Sequence, residues 1–177
     1  LKTKKYLNEP FFFHCCDCII SDDINLNKTE TNVLYVYKDQ DSTNYASVNV
    51  FDNNIIKVNN KGKKNYDYVY IGIAYIKDYQ LFWDILEKLY KTNAYSTSLS
   101  DIHIYMELLK LNKEVQYYNV DNWYDAGSVN TFVNLDNYFK PTYNVLSKNN
   151  ESICFMEDKV IKFFYNKEIN LNRIKRI

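Results

Sequence analysis

Two aspartates stand at positions where a pair of carboxylates can bind a divalent cation. Asp17 closes an apolar run that begins at Phe11, and Asp125 lies in the segment W-Y-D-A-G-S after another apolar run. In open α/β sheets, ligands bind outside the carboxyl ends of the strands. Two carboxylates brought together there would bind Mg2+, leaving its other positions to water and to phosphate oxygens whose charge it neutralises in group transfer. The alternative interpretation is that Asp17 is a turn residue and Asp125 a helix cap.

Three cysteines crowd into the segment H-C-C-D-C at positions 14–18, and Cys154 stands far from them. Structural zinc sites usually combine a closely spaced pair of ligands with a second pair elsewhere, and the sequence holds no second pair. Adjacent cysteines do not readily bridge each other, and one distant partner cannot pair with three, so no disulfide framework is visible. We therefore expect reduced thiols buried on a core strand.

Apolar runs predict the strands that would position the aspartates. Residues 11–16 follow Pro10 without alternating polarity, which is typical of a strand buried on both faces, as in a parallel sheet under helices. Other strands are predicted at 32–37, 46–51, 55–58, 66–76 and 115–120, the second and third of these forming a hairpin. Gly72 lies inside the run 66–76, where an isolated glycine indicates a bulge or the close approach of another group.

Helical spacing of apolar residues predicts two helices, and a third is predicted before Pro141. The first runs over residues 78–91, with the Asp78 side chain as its cap. Ser98 and Asp101 resemble a capping box for the second, and its His103 is expected at the surface or partly packed. The third covers residues 128–139 and ends before a proline.

Length and charge limit the function classes. The chain has 177 residues and equal numbers of basic and acidic side chains, 22 each. A zero net charge argues against a dedicated nucleic-acid binder. No run reaches the ~18 apolar residues of a membrane span, and no signal segment opens the chain, so a cytoplasmic protein is expected. The first residue is Leu rather than Met, which favours a chain that is incomplete at its N-terminus.

The character of the sequence changes after residue 140. Short strand-like pieces at 143–148, 152–156 and 159–164 follow, so we place a domain boundary between residues 140 and 148. Strands mixed with helices in residues 1–140 predict an α/β class, with a mixed, mostly parallel sheet and flanking helices.

From about Pro10 to Lys140, the ordered set of features resembles the second half of a sugar-phosphate nucleotidyltransferase. That group includes the phosphocholine cytidylyltransferases. The matching features are an apolar strand ending in Asp17, a hairpin region, a strand with a central glycine and a helix with an acidic start. They end with a W-x-D-x-G turn formed by Trp123, Asp125 and Gly127.

The resemblance implies a nucleotide-diphospho-sugar transferase-like fold, also described as GT-A-like, and a reaction. The reaction transfers a nucleoside monophosphate from a nucleoside triphosphate to a phosphorylated sugar or small alcohol and releases pyrophosphate, in a pathway such as surface polysaccharide or capsule synthesis. It implies that Asp17 and Asp125 bind Mg2+. It also implies that Gly72, Trp123 and Gly127 line the substrate.

One family feature has no counterpart in the sequence. The family grips the triphosphate with an N-terminal glycine-rich loop, whereas Gly62, Gly72 and Gly127 stand singly. We expect residues upstream of this chain to supply the loop, and the chain alone to be inactive. The alternative is a non-catalytic regulatory or interaction module that has kept the fold and lost the loop.

Residues 141–177 have a resemblance of their own. The stretch S-I-C-F-M-E-D-K-V-I-K-F-F is similar to the opening hairpin of an aminoglycoside-phosphotransferase or choline-kinase-like domain. Lys162 stands where kinase-like folds keep the strand lysine that pairs with ATP phosphates. The alternatives are an exposed lysine on an ordinary hairpin, or a kinase-like enzyme whose main body lies downstream.

Overall fold

A computed structural model describes residues 1–20, 29–38, 40–92, 98–127, 131, 135, 144–148, 151–155 and 160–164. The chain divides into two compact units, Leu1–Ser128 and Val129–Ile177. We call them the N-terminal and the C-terminal unit. The assignment of residues 141–177 to the start of a kinase-like domain stays a prediction.

The described part of the N-terminal unit contains strands, two α-helices and two short 3-10 helices. The strands are β1 (Phe11–His14), β2 (Cys18–Ile20), β3 (Asn32–Tyr37), β4 (Ser47–Phe51), β5 (Asn54–Asn59), β6 (Tyr68–Ile76), β7 (Val115–Asn119) and β8 (Trp123–Asp125). The helices are α1 (Tyr79–Lys91), α2 (Asp101–Lys110) and the 3-10 turns Lys4–Tyr6 and Ser42–Asn44. The predicted helix at 128–139 lies outside the described residues, apart from Thr131 and Leu135.

Six strands form one sheet in the order β1-β6-β3-β7-β5-β4, and β4 also pairs with β6. Among the described strands only β3 and β7 pair in parallel; the other pairs are antiparallel. The predicted α/β class is confirmed, but the prediction of a mostly parallel sheet is wrong. The unbroken apolar run at Phe11 suggested a central parallel strand, whereas β1 is a half-buried edge strand. Its successive side chains pack on opposite faces of an antiparallel sheet.

Each face of the sheet has its own apolar core. On one face α1 and α2 cover the sheet, and Phe11 packs against the rings of Phe82 and Trp83. On the other face Phe12 packs edge-on against Tyr35, in a core that also includes residues of β2 and β8. Full burial of such a side chain stabilises the fold by about 1.5–3 kcal/mol.

Gly72 marks the point where β6 changes its partner strand. Before this residue β6 pairs with β4, after it β6 pairs with β1, and the register against β3 shifts in the same region. Gly72 has a φ of +78°, and the Cys15 N–H donates to its carbonyl oxygen at 2.8 Å. A Cβ at Gly72 would lie 2.7 Å from Cys15 Sγ. The predicted bulge and the predicted close approach are both confirmed.

Helix α1 begins directly after Asp78, as predicted, but the caps of both helices differ from the sequence predictions. Asp78 precedes α1, but its carboxylate accepts from Asn32 Nδ2 at 3.0 Å instead of capping the helix. The cap of α2 is Ser100 rather than Ser98, and its backbone N–H donates to His103 Nδ1 at 3.1 Å. His103 is buried because its ring folds back onto this cap, so its predicted surface or partly packed position is wrong.

The described part of the C-terminal unit is a three-stranded antiparallel sheet. Its strands are β9 (Asn144–Lys148), β10 (Glu151–Phe155) and β11 (Val160–Phe164), with β10 in the centre. The three strands predicted for this region are therefore confirmed to within one residue. In the described parts of the chain, no helix is long and apolar enough to cross a membrane.

Candidate functional site

A short antiparallel pair of strands brings Asp17 and Asp125 together. Strand β2 pairs with β8 so that Cys18 lies opposite Asp125, and Ala126 N–H donates to the Asp17 carbonyl oxygen at 2.8 Å. Asp17 therefore belongs to the turn between β1 and β2, and Asp125 ends β8. The W-x-D segment is thus a strand end rather than a turn, and it lies beside the end of the first apolar run.

Gly127 lies beside both carboxylates. A Cβ at this residue would lie 3.0 Å from Asp125 Oδ1 and 3.1 Å from Asp17 Oδ2. Because both oxygens approach one point, their separation is no larger than the sum of these two distances. Because Gly127 has no side chain, the two carboxylate oxygens share a small space beside it in which a Cβ would be crowded.

Both oxygens of the Asp125 carboxylate accept hydrogen bonds. Gly127 N–H donates to Oδ1 at 2.8 Å, and the Tyr45 hydroxyl donates to Oδ2 at 2.5 Å. The ring of Tyr45 packs edge-on against Trp123, with the ring centroids 5.0 Å apart. Burial raises the pKa of Tyr45, and the hydrogen bond to Asp125 raises it further, so the hydroxyl stays a donor at neutral pH.

The thiols around Asp17 do not form the predicted set of buried core cysteines. Cys16 is exposed in the turn, Cys15 is half-buried, and only Cys18 is buried among these three. Cys18 Sγ contacts the Ile71 carbonyl oxygen at 3.5 Å. Burial raises the pKa of Cys15 and of Cys18 to about 11, so both are neutral thiols at neutral pH. The segment differs from the expectation because β1 ends at His14, before the cysteines.

The donor set of the Asp17–Asp125 pair fits Mg2+ rather than zinc. Mg2+ prefers hard oxygen ligands and is usually bound through one or two carboxylates, with water and substrate phosphates in its other positions. Asp17 Oδ2 and Asp125 Oδ1 face one space, as such a site requires. Within the described residues, no group of three or more histidine, cysteine, aspartate or glutamate side chains is placed to hold a metal.

The remaining predicted site residues have different surroundings. Trp123 lies two positions before Asp125 on β8 and contacts the rings of Tyr37 and Tyr45. The side of Gly72 on which a side chain would stand is filled by Cys15. Lys162 is exposed in the middle of β11 in the C-terminal unit. The substrate roles of Gly72, Trp123 and Gly127 and the ATP-binding role of Lys162 stay predictions.

The sequence analysis did not identify Tyr45 as part of the site. Tyr45 is one of 18 tyrosines, and no local pattern distinguishes it from the others. It follows the 3-10 turn at Ser42–Asn44, and 80 positions separate it from Asp125. A contact across that separation depends on the sheet topology, so hydrophobic periodicity could not reveal it.

Known structures share this arrangement of strands and helices. A protein assigned as a glucose-1-phosphate thymidylyltransferase, from Bacillus anthracis and in complex with sucrose, matches with a TM-score of 0.64 at 20% identity. The match covers 83% of this chain and 61% of that chain. The CTP:phosphocholine cytidylyltransferase of Streptococcus pneumoniae matches with a TM-score of 0.63 at 12% identity, over 78% of this chain and 60% of that one.

A third structure, the inositol-1-phosphate CTP transferase from T. maritima, matches with a TM-score of 0.55 at 18% identity, over 73% of this chain and 54% of that one. This chain has the nucleotidyltransferase fold. It spans between 54% and 61% of the length of these three nucleotidyltransferases. No protein-family model and no curated protein matches the sequence.

Proposed function

We propose that the chain is part of a magnesium-dependent nucleotidyltransferase. The reaction transfers a nucleoside monophosphate from a nucleoside triphosphate to a phosphorylated sugar or small alcohol and releases pyrophosphate. Its place in surface polysaccharide synthesis is a further prediction from the family resemblance. The observation that carries the proposal is the approach of Asp17 Oδ2 and Asp125 Oδ1 to one point beside Gly127, in a chain with the nucleotidyltransferase fold.

The two carboxylates would hold Mg2+ through one oxygen each. The ion, when bound, would neutralise phosphate charge as the acceptor phosphate attacks the α-phosphorus. The protein's own part is positioning, because the acceptor phosphate already carries the nucleophilic oxygen and needs no activating base. Asp17 is supplied by the turn after β1, and Asp125 by the end of β8.

Two features of the protein would give this site a fixed geometry. The β2–β8 pairing fixes the distance between the backbones that carry the two aspartates. Gly127 adds a backbone N–H that holds Asp125 Oδ1, and it lacks the side chain that would crowd the two oxygens. A site held by backbone contacts loses little order when it is empty, so binding costs little reorganisation.

The test is nucleotidyl transfer by the protein extended to the length of its structural neighbours. Pyrophosphate release would be measured with each of the four ribonucleoside triphosphates, a panel of phosphorylated sugars and alcohols, and titrated Mg2+. We expect Asp125→Ala to lower kcat/KM by more than about 100-fold, because metal stabilisation of phosphate charge is worth several kcal/mol. The fold should survive, since Asp125 ends a strand on the rim of the site.

Asp121→Asn is the matched control, because Asp121 is an exposed aspartate four positions before Asp125. It should keep the wild-type rate. An Asp125→Ala protein with a near wild-type rate at saturating Mg2+ would remove Asp125 from the site. Absence of transfer with every donor and acceptor pair would instead favour a non-catalytic module with the same fold.

A further inference from the structure

The side chain of Tyr45 forms a short hydrogen bond with Asp125, one of the two proposed metal ligands. Its hydroxyl donates to Asp125 Oδ2 at 2.5 Å, whereas the oxygen that faces Asp17 is Oδ1. A hydrogen bond to an ionised carboxylate is short and about twice as strong as a bond between neutral groups. Tyr45 therefore occupies one oxygen of Asp125 and leaves the other directed toward the shared space.

The segment that carries Tyr45 is itself held in place. Tyr45 N–H donates to the Ser42 carbonyl oxygen, and Thr43 N–H donates to Asp41 Oδ1 at 2.9 Å. Ser42 Oγ donates to the Lys63 carbonyl oxygen at 2.7 Å, and the Ser42 N–H donates to the Tyr66 hydroxyl at 3.1 Å. A hydroxyl on an anchored backbone restrains its partner, since neither the turn nor the ring is free to follow a rotating carboxylate.

The ring of Tyr45 is also fixed by packing. It meets Trp123 edge-on at 5.0 Å, and Trp123 belongs to the strand that carries Asp125. Tyr45 therefore makes two contacts with β8, a first through its hydroxyl to Asp125 and a second through its ring to Trp123. Replacing Tyr45 with Phe removes the first contact and keeps the second.

We infer that Tyr45 is a positioning residue for the divalent cation, holding Asp125 so that it binds the ion through Oδ1 alone. This inference rests on the proposed function. Without the hydroxyl, only the Gly127 N–H, which donates to Oδ1 at 2.8 Å, would restrain the carboxylate, and Oδ2 would lose its donor and become free to swing about the terminal bond. The two ligand oxygens would then no longer be arranged before the ion arrives. Loss of such an outer partner typically weakens metal binding by about 10–100-fold.

The experiment measures the binding of Mn2+, which substitutes for Mg2+ at oxygen sites. Electron paramagnetic resonance gives the concentration of unbound Mn2+ and therefore the Kd. We expect Tyr45→Phe to raise the Kd for Mn2+ by about tenfold. Tyr37→Phe is the matched control, because the Tyr37 ring also contacts Trp123, with the ring centroids 5.8 Å apart. The Tyr37→Phe protein should bind Mn2+ with the Kd of the wild type. Melting curves of all three proteins separate a loss of stability from a loss of affinity.

Each outcome decides the inference. A Tyr45→Phe protein that melts at a lower temperature but binds Mn2+ like the wild type would make Tyr45 purely structural and overturn the inference. Absence of Mn2+ binding by the wild type would overturn the proposed metal site together with the inference. If Tyr45→Phe does not fold, the wild type labelled with 13C at Tyr45 Cζ replaces it. During a titration with Mg2+, the chemical shift of that resonance should change at the same Mg2+ concentration at which the ion binds. An unchanged chemical shift at saturating Mg2+ would overturn the inference.

Discussion

Two regions of the N-terminal unit, one in the six-stranded sheet and one at the β2–β8 pair, are built alike and differ in which side chains lie beside their glycine. At the β6 bulge the Tyr70 hydroxyl donates to Asp101 Oδ2 at 2.6 Å, and at the end of β8 the Tyr45 hydroxyl donates to Asp125 Oδ2 at 2.5 Å. Each region also has a glycine whose missing side chain leaves a space. Cys15 fills the space at Gly72, and carboxylate oxygens face the space at Gly127.

The difference between the two regions shows which features distinguish a structural tyrosine–aspartate pair from one at a candidate site. Tyr70 is buried, and its partner Asp101 has a pKa raised by burial, in a region that is closed by packing. Asp125 is also partly buried, but it has a second carboxylate beside it, that of the exposed Asp17. The tyrosine–aspartate hydrogen bond alone does not distinguish the two regions. The second carboxylate, that of Asp17 beside Asp125, does.

The largest expected effect on stability is at Gly72. Gly72→Ala should lower the free energy of unfolding by about 3 kcal/mol, because a left-handed φ costs about 1–2 kcal/mol and a steric clash about 1–3 kcal/mol. The clash is with Cys15 Sγ at 2.7 Å and Cys15 Cβ at 2.9 Å. Urea unfolding measures the change. Adding Cys15→Ala should restore only part of the loss, since the strained φ remains.

Gly127→Ala is the control that sharpens the comparison. Gly127 does not have a left-handed φ, and its Cβ would meet only side-chain oxygens at 3.0–3.1 Å. The free energy of unfolding should change by less than about 1 kcal/mol, as for substitutions away from packed cores. Equal losses at Gly72 and Gly127 would show that the two regions are packed alike, and the comparison would fail.

A smaller, pH-dependent effect is expected at Asp101. Burial raises its pKa above the ordinary value of 3.8. The folded state then holds the proton more tightly than the unfolded state, so this contribution to stability is complete below pH 3.8 and is lost as the pH rises through the folded pKa. Asp101→Asn keeps an acceptor for Tyr70 and does not titrate.

The melting temperature of Asp101→Asn, relative to the wild type, should therefore be higher at pH 7 than at pH 3. If the melting temperature of Asp101→Asn relative to the wild type were instead lower at pH 7 than at pH 3, the region around Asp101 would favour the charged carboxylate.

The sequence predicted the elements of this molecule better than their pairing. The bulge at Gly72 and the hairpin turn at Asp52–Asn53 were predictable because glycine and asparagine favour left-handed backbone, and both residues of that turn have positive φ. The direction of β1 was not predictable, since an apolar run fits both a central parallel strand and an edge strand packed on two faces. The two aspartates were found by their positions after strands.

Their common approach to Gly127 depends on the β2–β8 pairing, which joins segments about one hundred residues apart. The start of α2 was missed for a local reason. Ser98 and Ser100 both fit a cap, and the choice depended on the His103 ring, whose Nδ1 accepts from the Ser100 backbone. Two serines within a few residues of each other can both cap the helix, and the sequence alone does not show which of them does so.

The most direct test of the account is Mn2+ binding by the wild type, Asp17→Asn, Asp125→Asn and the double variant, measured by electron paramagnetic resonance. If both carboxylates bind one ion, the wild type binds one Mn2+ and each single variant raises the Kd by at least about tenfold. The double variant should then lose much less than the two single losses combined, because the residues act as a unit. Unchanged affinity in either single variant, or losses that add independently, would contradict a shared site at Asp17 and Asp125.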